Sequence, residues 1–479
     1  MLWTCIVNSI DVDFFLDFFQ NVVFFWYMNT KNYQIFLKQK ESYLNNGPLD
    51  LKTRIKTLKK LKELIMFYQS DIEKVLYLDL KKTPSQAFHS EISLIYNSIN
   101  LTLKKLKKWT RPKSIKTPWF LFGSKSYIKY EAYGVVGIYS PWNYPFLLSF
   151  DPIIAAISAG NRIILKASEV SENSWTLINK IINDNFDDSI MYCSSNDMNE
   201  FKIFNELNFD LIFFTGSSNI GKIIAENAAK NLIPTILELG GKSPSIIFDD
   251  ANIKSTVKNI IFGKFLNSGQ ICTAHDYILI DNKIKDEFYQ EFKRQLNEYK
   301  IYDNFGKIIN QKHFNRILSL LDNDKLSLLN KNESKLTIEP FVYFASQDER
   351  IMQEEIFGPI LPILSFENFN ELKNILQKQP NPLVIYLFGK NKRNFEIEKY
   401  FKSGSVIINN TISFLSNTYL PFGGVGNSGN GRYHGYEGFK SFSNPKSFFK
   451  SFSFIKPSFL TFGKETNFKK QILEWIFKK

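Results

Sequence analysis

The stretch best suited to chemistry is Asn267-Ser-Gly-Gln-Ile-Cys-Thr-Ala274. The chain has three cysteines, Cys5, Cys193 and Cys272, and only Cys272 stands in a small-residue, turn-forming segment. That segment joins a helix-like run, Ile253 to Leu266, to an apolar strand-like run, Tyr277 to Ile280. A thiol adds well to a carbonyl carbon when it is partly ionised, and a helix N-terminus or a neighbouring cation promotes that ionisation. Taken alone, the same residue reads equally well as a buried small hydrophobe.

The elements that must position it belong to a chain of 479 residues, long enough for two or three domains with their own cores. A hydrophobic fraction of 44% excludes wholesale disorder. Three unpatterned cysteines form neither a disulfide framework nor a zinc site and fit a reducing compartment, so a cytoplasmic location is expected. Four histidines without a close pair speak against a histidine metal centre, and no metal is expected. The net charge of +13 raises the question of nucleic acid. Its lysines are spread along helix-like segments such as Leu51 to Lys62, without aromatic interleaving or a recognition-helix pattern, so no nucleic-acid partner is expected.

Along the chain, residues 1–27 differ in character from the rest. Asp13 to Met28 is aromatic-rich but interrupted by Asp17 and Gln20, and it is shorter than a bilayer span. It reads as an atypical extension, either a membrane-surface segment or, as the favoured reading, untranslated upstream sequence with Met28 as the working start. Residues 28–115 carry helical periodicity (Leu58, Leu61, Leu64, Ile65; Ile92, Leu94, Ile95, Ile99) and form a mostly helical entry region. Residues 116–133 read as a β arm turning at Gly123-Ser124. Strands and helices then alternate from Gly134 through Thr235 to Leu239, with a helix from Pro145 to Ala159, which predicts a parallel doubly wound sheet. A second α/β region comes next, with strands at Tyr277 to Ile280, Leu361 to Ser365 and Val384 to Phe388. The expected fold class is therefore α/β, with two doubly wound parallel-sheet domains and a small β bridging element. The divisions are 134–238 for the first sheet domain, 239–404 for the domain that carries Cys272, 405–447 for a loop-rich, glycine-clustered segment and 448–479 for a basic amphipathic tail.

Five stretches read together resemble the aldehyde dehydrogenase superfamily. They are Ser140-Pro-Trp-Asn-Tyr-Pro-Phe146, Lys166-Ala-Ser-Glu169, Phe214-Thr-Gly-Ser-Ser-Asn-Ile-Gly221, Leu237-Glu-Leu-Gly-Gly-Lys-Ser-Pro244 and Gly269-Gln-Ile-Cys272. Glu354-Glu-Ile-Phe-Gly-Pro359 and Pro421-Phe-Gly-Gly-Val-Gly-Asn-Ser-Gly429 extend the match in family order, over about Met28 to Pro445. The Tyr433-His-Gly435 run is most like the class 3 and fatty-aldehyde branch.

The resemblance implies NAD(P)-dependent oxidation of an aldehyde to its acid. Cys272 would form a thiohemiacetal, hydride would pass to the nicotinamide, and water would hydrolyse the resulting thioester. It assigns oxyanion stabilisation to the Asn143 side chain with the Cys272 backbone N–H, and general-base work to Glu238. The cofactor would meet Trp142, Gly216, Ser217, Gly221 and Leu239, with Lys166 and Glu169 at the adenosine ribose and Glu355 and Phe357 at the nicotinamide end. A carboxylate at Glu169 favours NAD, with NADP possible. The Gly216-to-Gly221 turn departs from the dinucleotide fingerprint but still opens a helix whose N-terminus can face a pyrophosphate. Asn409 resembles a further active-site residue, with Asn410 leaving the register open. His275 stands where the branch usually has proline. Protonated, it would lower the Cys272 pKa; otherwise it is an exposed turn residue pointing away.

Tyr144, Phe146, Phe414 and Leu415 suggest a pocket for medium-to-long aliphatic or aromatic aldehydes. The alternatives are a CoA-acylating relative, against which Glu238 speaks, and an inactive scaffold, against which the intact set Asn143, Lys166, Glu238 and Cys272 speaks. The β arm and the segment after Gly404 resemble subunit-bridging elements and imply a homodimer. The tail Asn467 to Lys479 allows at most peripheral membrane contact.

Overall fold

The computed structural model describes residues 30–121, 123–299, 305–451 and 467–478. The extension at residues 1–27 lies outside the described residues.

Two six-stranded sheets organise the chain. The first runs, edge to edge, Gly429–Asn430, Thr235–Leu239, Leu211–Gly216, Val135–Tyr139, Arg162–Lys166 and Met191–Cys193. All neighbours are parallel except the two-residue edge strand, which pairs antiparallel with Leu237 and Glu238. The Val135–Tyr139 and Arg162–Lys166 strands are buried throughout, as near-continuous apolar runs covered on both faces should be. Each such Val, Ile or Leu side chain stabilises the fold by roughly 1.5–3 kcal/mol relative to exposure. The order of the strands reverses between Val135–Tyr139 and Leu211–Gly216. Doubly wound sheets bind ligands at such a switch point, beyond the carboxyl ends of the strands. Here those ends lead into Ser140-Pro-Trp-Asn143 and Gly216-Ser217.

The second sheet is wholly parallel: Phe341–Phe344, Ile360–Phe366, Tyr277–Asp281, Pro244–Ile247, Val384–Phe388 and Ser405–Ile408. Only Gly240 to Ser243 separate it from the last parallel strand of the first sheet. The chain thus passes from one sheet to the other at the point where Glu238 lies.

The expected doubly wound architecture is present, with corrected boundaries. Leu239 ends the first-sheet strand, so a division after 238 cuts that strand, and Ser405–Ile408 completes the second sheet beyond 404. The arm is not a simple hairpin. Lys113–Ile115 and Ser443–Lys450 both pair antiparallel with Lys125–Ala132, while Trp119–Leu121 form a 3₁₀ turn. The strand Ser443–Lys450 therefore crosses the expected 447/448 boundary, and Lys113–Ile115 belongs to the arm although it lies before the boundary at 115/116. The helix expected from Pro145 begins at Leu147, because the N–H groups of Phe146 and Leu147 are drawn to a carboxylate, Glu91, on another segment.

The N-terminal helices cover the first sheet through the helix Leu147–Ala159. Leu51–Phe67 and Ser93–Trp109 pack on it, and Gln69–Leu80 packs on Glu172–Asn183. Asp79 ties the last pair by accepting from the Ser174 N–H and hydroxyl at 2.8 and 2.6 Å. At the other end of the chain, the helix Asn467–Phe477 brings Trp475 edge-on to Trp119, with ring centres 5.5 Å apart. Among the described residues no helix is long and apolar enough to cross a membrane.

Candidate active site

The thiol loop is held in an unusual backbone conformation. The helix Ile253–Phe265 ends in a short 3₁₀ turn in which Asn267 and Ser268 adopt φ of 52° and 55°, followed by Gly269 at 75°. Left-handed backbone at non-glycine residues costs of order 1–3 kcal/mol each and persists only where the surroundings impose it. Here the restraint is a set of buried amides. Asn267 Nδ2 donates to the Asn143 and Gln270 carbonyls, and Gln270 Nε2 to the Asn267 and Lys307 carbonyls. Gln270 Oε1 accepts from the Ile309 N–H at 3.0 Å. A Cβ on Gly269 would sit 2.3 Å from the Gly358 carbonyl oxygen, so glycine is required there for close approach as well as for φ. Cys272 comes next, in a turn closed by Ala274 N–H to the Ile271 carbonyl, not at a helix N-terminus.

Cys272 is half-buried and unbonded to other cysteines. Burial pushes its thiol up to about 12, with Glu355 and Glu238 acting in the same direction; the backbone N–H groups of Cys272 and Thr273 oppose this weakly. The expectation of a thiol made partly ionic by its loop is thus corrected: burial first, and two carboxylates second, favour its protonated form.

Glu238 is buried at the end of the Thr235–Leu239 strand, and neither carboxylate oxygen has a hydrogen-bond partner. Desolvation raises its pKa well above the ordinary carboxylate range, opposed by Arg432. An unpaired buried carboxyl is costly to leave in a fold, and such groups cluster where chemistry uses them. Asn143 is also buried, and its Nδ2 donates to the Gln270 carbonyl at 2.9 Å. A primary amide carries two N–H donors, so one remains for a ligand on the cysteine side. Asn143, Glu238 and Cys272 therefore share one neighbourhood, linked by the 267–272 loop and by the charge that Glu238 exerts on the thiol.

Most residues assigned to a cofactor lie at or just beyond the carboxyl ends of the first sheet's strands, and Glu355 lines a polar cleft. Lys166, at the end of its strand, pairs with the exposed Glu169 at 2.8 Å. Ser217 precedes the helix Ser218–Lys230 with extended backbone and no side-chain cap, leaving the first-turn N–H groups to an outside acceptor. A Cβ on Gly221 would lie 2.4 Å from Leu239 Cδ2, and one on Gly216 2.7 Å from Phe214 Cζ. Gly221 lets the helix approach the strands closely, while Gly216 leaves room for the Phe214 ring on its own strand. Ser218, Lys222, Gly240, Lys242 and Glu355 line a polar cleft of about 290 Å³. Glu355 reaches over Gly240, where a Cβ would meet its Oε2 at 2.0 Å, and burial raises its pKa to about 8. Trp142 packs against Phe357, itself left-handed at φ 49°, with ring centres 5.4 Å apart. A helix end with free N–H groups, a Lys–carboxylate pair at the end of a strand in the same sheet and a polar cleft lined by Lys222, Lys242 and Glu355 fit a dinucleotide. Lys166, Glu169, Gly216, Ser217, Gly221, Leu239 and Glu355 would hold it.

Cys272 lines a cavity of about 480 Å³ with mainly apolar walls. Tyr144 and Leu415 line it as expected, joined by Leu147, Leu148, Phe262 and Ile412. Phe146 instead belongs to the core at 0% exposure, and Phe414 packs on Phe422.

Two further expectations are corrected. His275 is neither a charge donor nor an exposed turn residue. It is buried between Ser245 Oγ at 2.5 Å and Thr411 Oγ1 at 2.8 Å, over the Tyr386 ring, and burial lowers its pKa to about 3. Asn409 is occupied structurally, since its amide closes a pair of hydrogen bonds with the Gly389 backbone. Sequence reasoning passed over Lys82 and Glu91, a buried pair 2.7 Å apart beneath Asn143. A signal existed: Glu91 stands four residues before Ile95 and eight before Ile99, inside an otherwise apolar stripe.

Comparison with known proteins agrees with this fold. Residues 40–448 match the family model described as the aldehyde dehydrogenase family. The chain is 41% identical over 429 residues to the 4,4'-diaponeurosporen-aldehyde dehydrogenase of Staphylococcus aureus, covering 87% of this chain and 94% of that one. It is 39% identical to aldehyde dehydrogenase family 3 member H1 of Arabidopsis thaliana, over 82% of this chain and 84% of that one. Among solved structures, the substrate-bound state of Staphylococcus aureus AldH superposes with a TM-score of 0.88 at 38% identity, covering 92% and 98% of the two chains. From the family match, these relatives and the shared fold, the chain belongs to the aldehyde dehydrogenase family, with its likenesses on the family 3 side.

Proposed function

We propose that this chain oxidises medium-to-long aliphatic or aromatic aldehydes to carboxylic acids with NAD(P). The observation that carries the reading is the position of the Cys272 thiol. It lines an apolar cavity and is near enough to the unpaired carboxyl of Glu238 for that charge to act on it. NAD(P), when bound, supplies the hydride acceptor. The chain's own residues do the rest. Cys272 Sγ adds to the carbonyl carbon, and its proton leaves to the Glu238–water environment. The oxyanion accepts from the free Asn143 Nδ2–H and the Cys272 N–H. Preorganised donors of this kind are worth about 10²–10³ in rate. Once the adduct has been oxidised, Glu238 takes a proton from the water that attacks the thioester, and the acid leaves.

The apolar walls favour hydrocarbon-like substrates, in keeping with the polyene aldehyde in the name of the Staphylococcus relative. Glu169 beside Lys166 supports NAD, while a relative from dog is named dimeric NADP-preferring, so both cofactors belong in the test. In this reading the first sheet carries the cofactor domain and the second the thiol domain. The three-stranded arm sheet bridges two copies into a homodimer, and the enzyme works in the cytoplasm with at most peripheral membrane contact. The test is reduced-cofactor formation, read by its absorbance, across aldehydes of increasing chain length, with NAD and NADP in parallel. Turnover that rises with apolar chain length and vanishes in Cys272→Ser supports the reading. Turnover retained in Cys272→Ser, or confined to short polar aldehydes, refutes it.

A further inference from the structure

The buried pair Lys82–Glu91 has no part in the chemistry just described, yet it touches the oxyanion turn at four points. Its side chains are 3% and 0% exposed, with Lys82 Nζ 2.7 Å from Glu91 Oε1. Lys82 Nζ also donates to the Asn143 backbone carbonyl at 3.0 Å and sits over the Tyr144 ring, 3.8 Å from its centre. Glu91 Oε2 accepts from the Phe146 and Leu147 N–H groups at 2.9 and 3.1 Å, capping the helix Leu147–Ala159 from outside. A carboxylate there complements the helix dipole. Asn143, Tyr144, Phe146 and Leu147 thus hang on two charges, all within one five-residue stretch. Glu91 lies in a π-helical turn, Phe88–Ile92, a widening of the helix often found at functional sites. The same turn presents His89 and Ser90 to the substrate cavity, and Tyr144 and Leu147 line that cavity too.

We propose that Lys82 and Glu91 are positioning residues that fix the Asn143 amide at the height of the developing oxyanion, coupling the wall of the substrate cavity to the oxyanion site. Fixing a donor this way requires anchoring its main chain on the side away from the loop it serves. Asn267 anchors the Asn143 carbonyl from the thiol loop, and Lys82 anchors the same oxygen from the helical region. Without Lys82, the Asn143 carbonyl is tied only to the loop that carries the nucleophile, and amide and thiol move together rather than against a fixed frame. The proposal rests on Asn143 serving the oxyanion.

Removing Lys82 alone would leave Glu91 as an uncompensated buried charge, which destabilises folds strongly. The test therefore uses Lys82→Met/Glu91→Gln, which removes both charges while Gln keeps an acceptor for the Phe146 and Leu147 N–H groups. Two cofactor-free readouts separate positioning from general damage. Acylation of Cys272 by a p-nitrophenyl ester passes through an oxyanion; alkylation by iodoacetamide displaces iodide and does not. The expected result is a folded protein whose acylation is about 10²-fold slower, the scale of an ångström misplacement, with alkylation unchanged. Aldehyde oxidation should lose kcat with KM within about twofold. Asn143→Ala serves as the reference and should slow acylation at least as much. Lys82→Arg keeps the charge pair and decides the matter should the double variant not fold; it should slow acylation alone by about tenfold, a partial displacement. Unchanged acylation where Asn143→Ala slows it overturns the positioning role, as does a parallel fall in acylation and alkylation. Unchanged acylation in Asn143→Ala itself overturns the underlying reading of the oxyanion site.

Discussion

Burial and two neighbouring carboxylates act together on the Cys272 thiol, and the protein at rest keeps it protonated. Its pKa of about 12 means that the rate of iodoacetamide alkylation of the cofactor-free protein should keep rising through about pH 10, without the plateau of an activated thiol. Because Glu355 holds the thiol up by charge, Glu355→Gln should move the profile to lower pH. An unmoved profile would show that the carboxylate is too far away to matter. His275 has the opposite sign. Its folded pKa of about 3 lies below the ordinary value of 6.5, so the unfolded chain binds the extra proton between the two. Stability is then full above about pH 6.5 and falls as pH drops toward about 3. Denaturant unfolding of His275→Asn should lose that acid slope, while the alkylation profile above about pH 7 stays as in the wild type. The closeness of Cys272, Glu238 and Asn143 was legible through the resemblance that the ordered motifs carry. The role of His275 was not, because burial is a property of the elements around a residue. Ser245 and Thr411, which enclose its ring, are 30 and 136 residues away.

Among the elements, continuous apolar runs such as Val135–Tyr139 and Val384–Phe388 announced themselves as buried parallel strands. Others did not. Ser443–Lys450 reads as polar and contains Pro445, yet it is the long partner of Lys125–Ala132; edge strands tolerate both features, and its partner strand lies some 300 residues earlier in the chain. Pro244–Ile247 is short and starts just after another strand, so periodicity has nothing to work on. The left-handed run at Asn267 and Ser268 is likewise invisible in composition, since tertiary amide bonds impose it. Glycines there are testable. Gly269→Ala combines a φ of 75° with a 2.3 Å clash and should cost about 1–3 kcal/mol in denaturant unfolding, with a matching loss of turnover. Gly221→Val should lift the helix Ser218–Lys230 off Leu239 and weaken NAD binding by calorimetry at little cost to Cys272 alkylation. Nucleotide binding equal to the wild type would contradict the assignment of that helix end to the pyrophosphate.

For the whole molecule, the two sheets meet where the strand carrying Glu238 runs on through Gly240 to Ser243. The thiol loop enters from the second sheet and the oxyanion turn from the first, so the site exists only at this junction. Among the described residues the arm sheet leaves the long strand Ser443–Lys450 with one neighbour, an edge that a second copy can cover. Sedimentation should therefore give twice the chain mass of 55.9 kDa; a monomer at micromolar concentration would remove the bridging role. The central claim is that Cys272 carries the acyl group and Glu238 frees it, and the most direct measurement is mass spectrometry of Glu238→Gln mixed with a long-chain aldehyde and NAD. The account predicts that the corresponding acyl mass accumulates on the peptide containing Cys272, with reduced cofactor released in a single burst. Continued turnover with no acylated Cys272, or an acyl group on another residue, would contradict it.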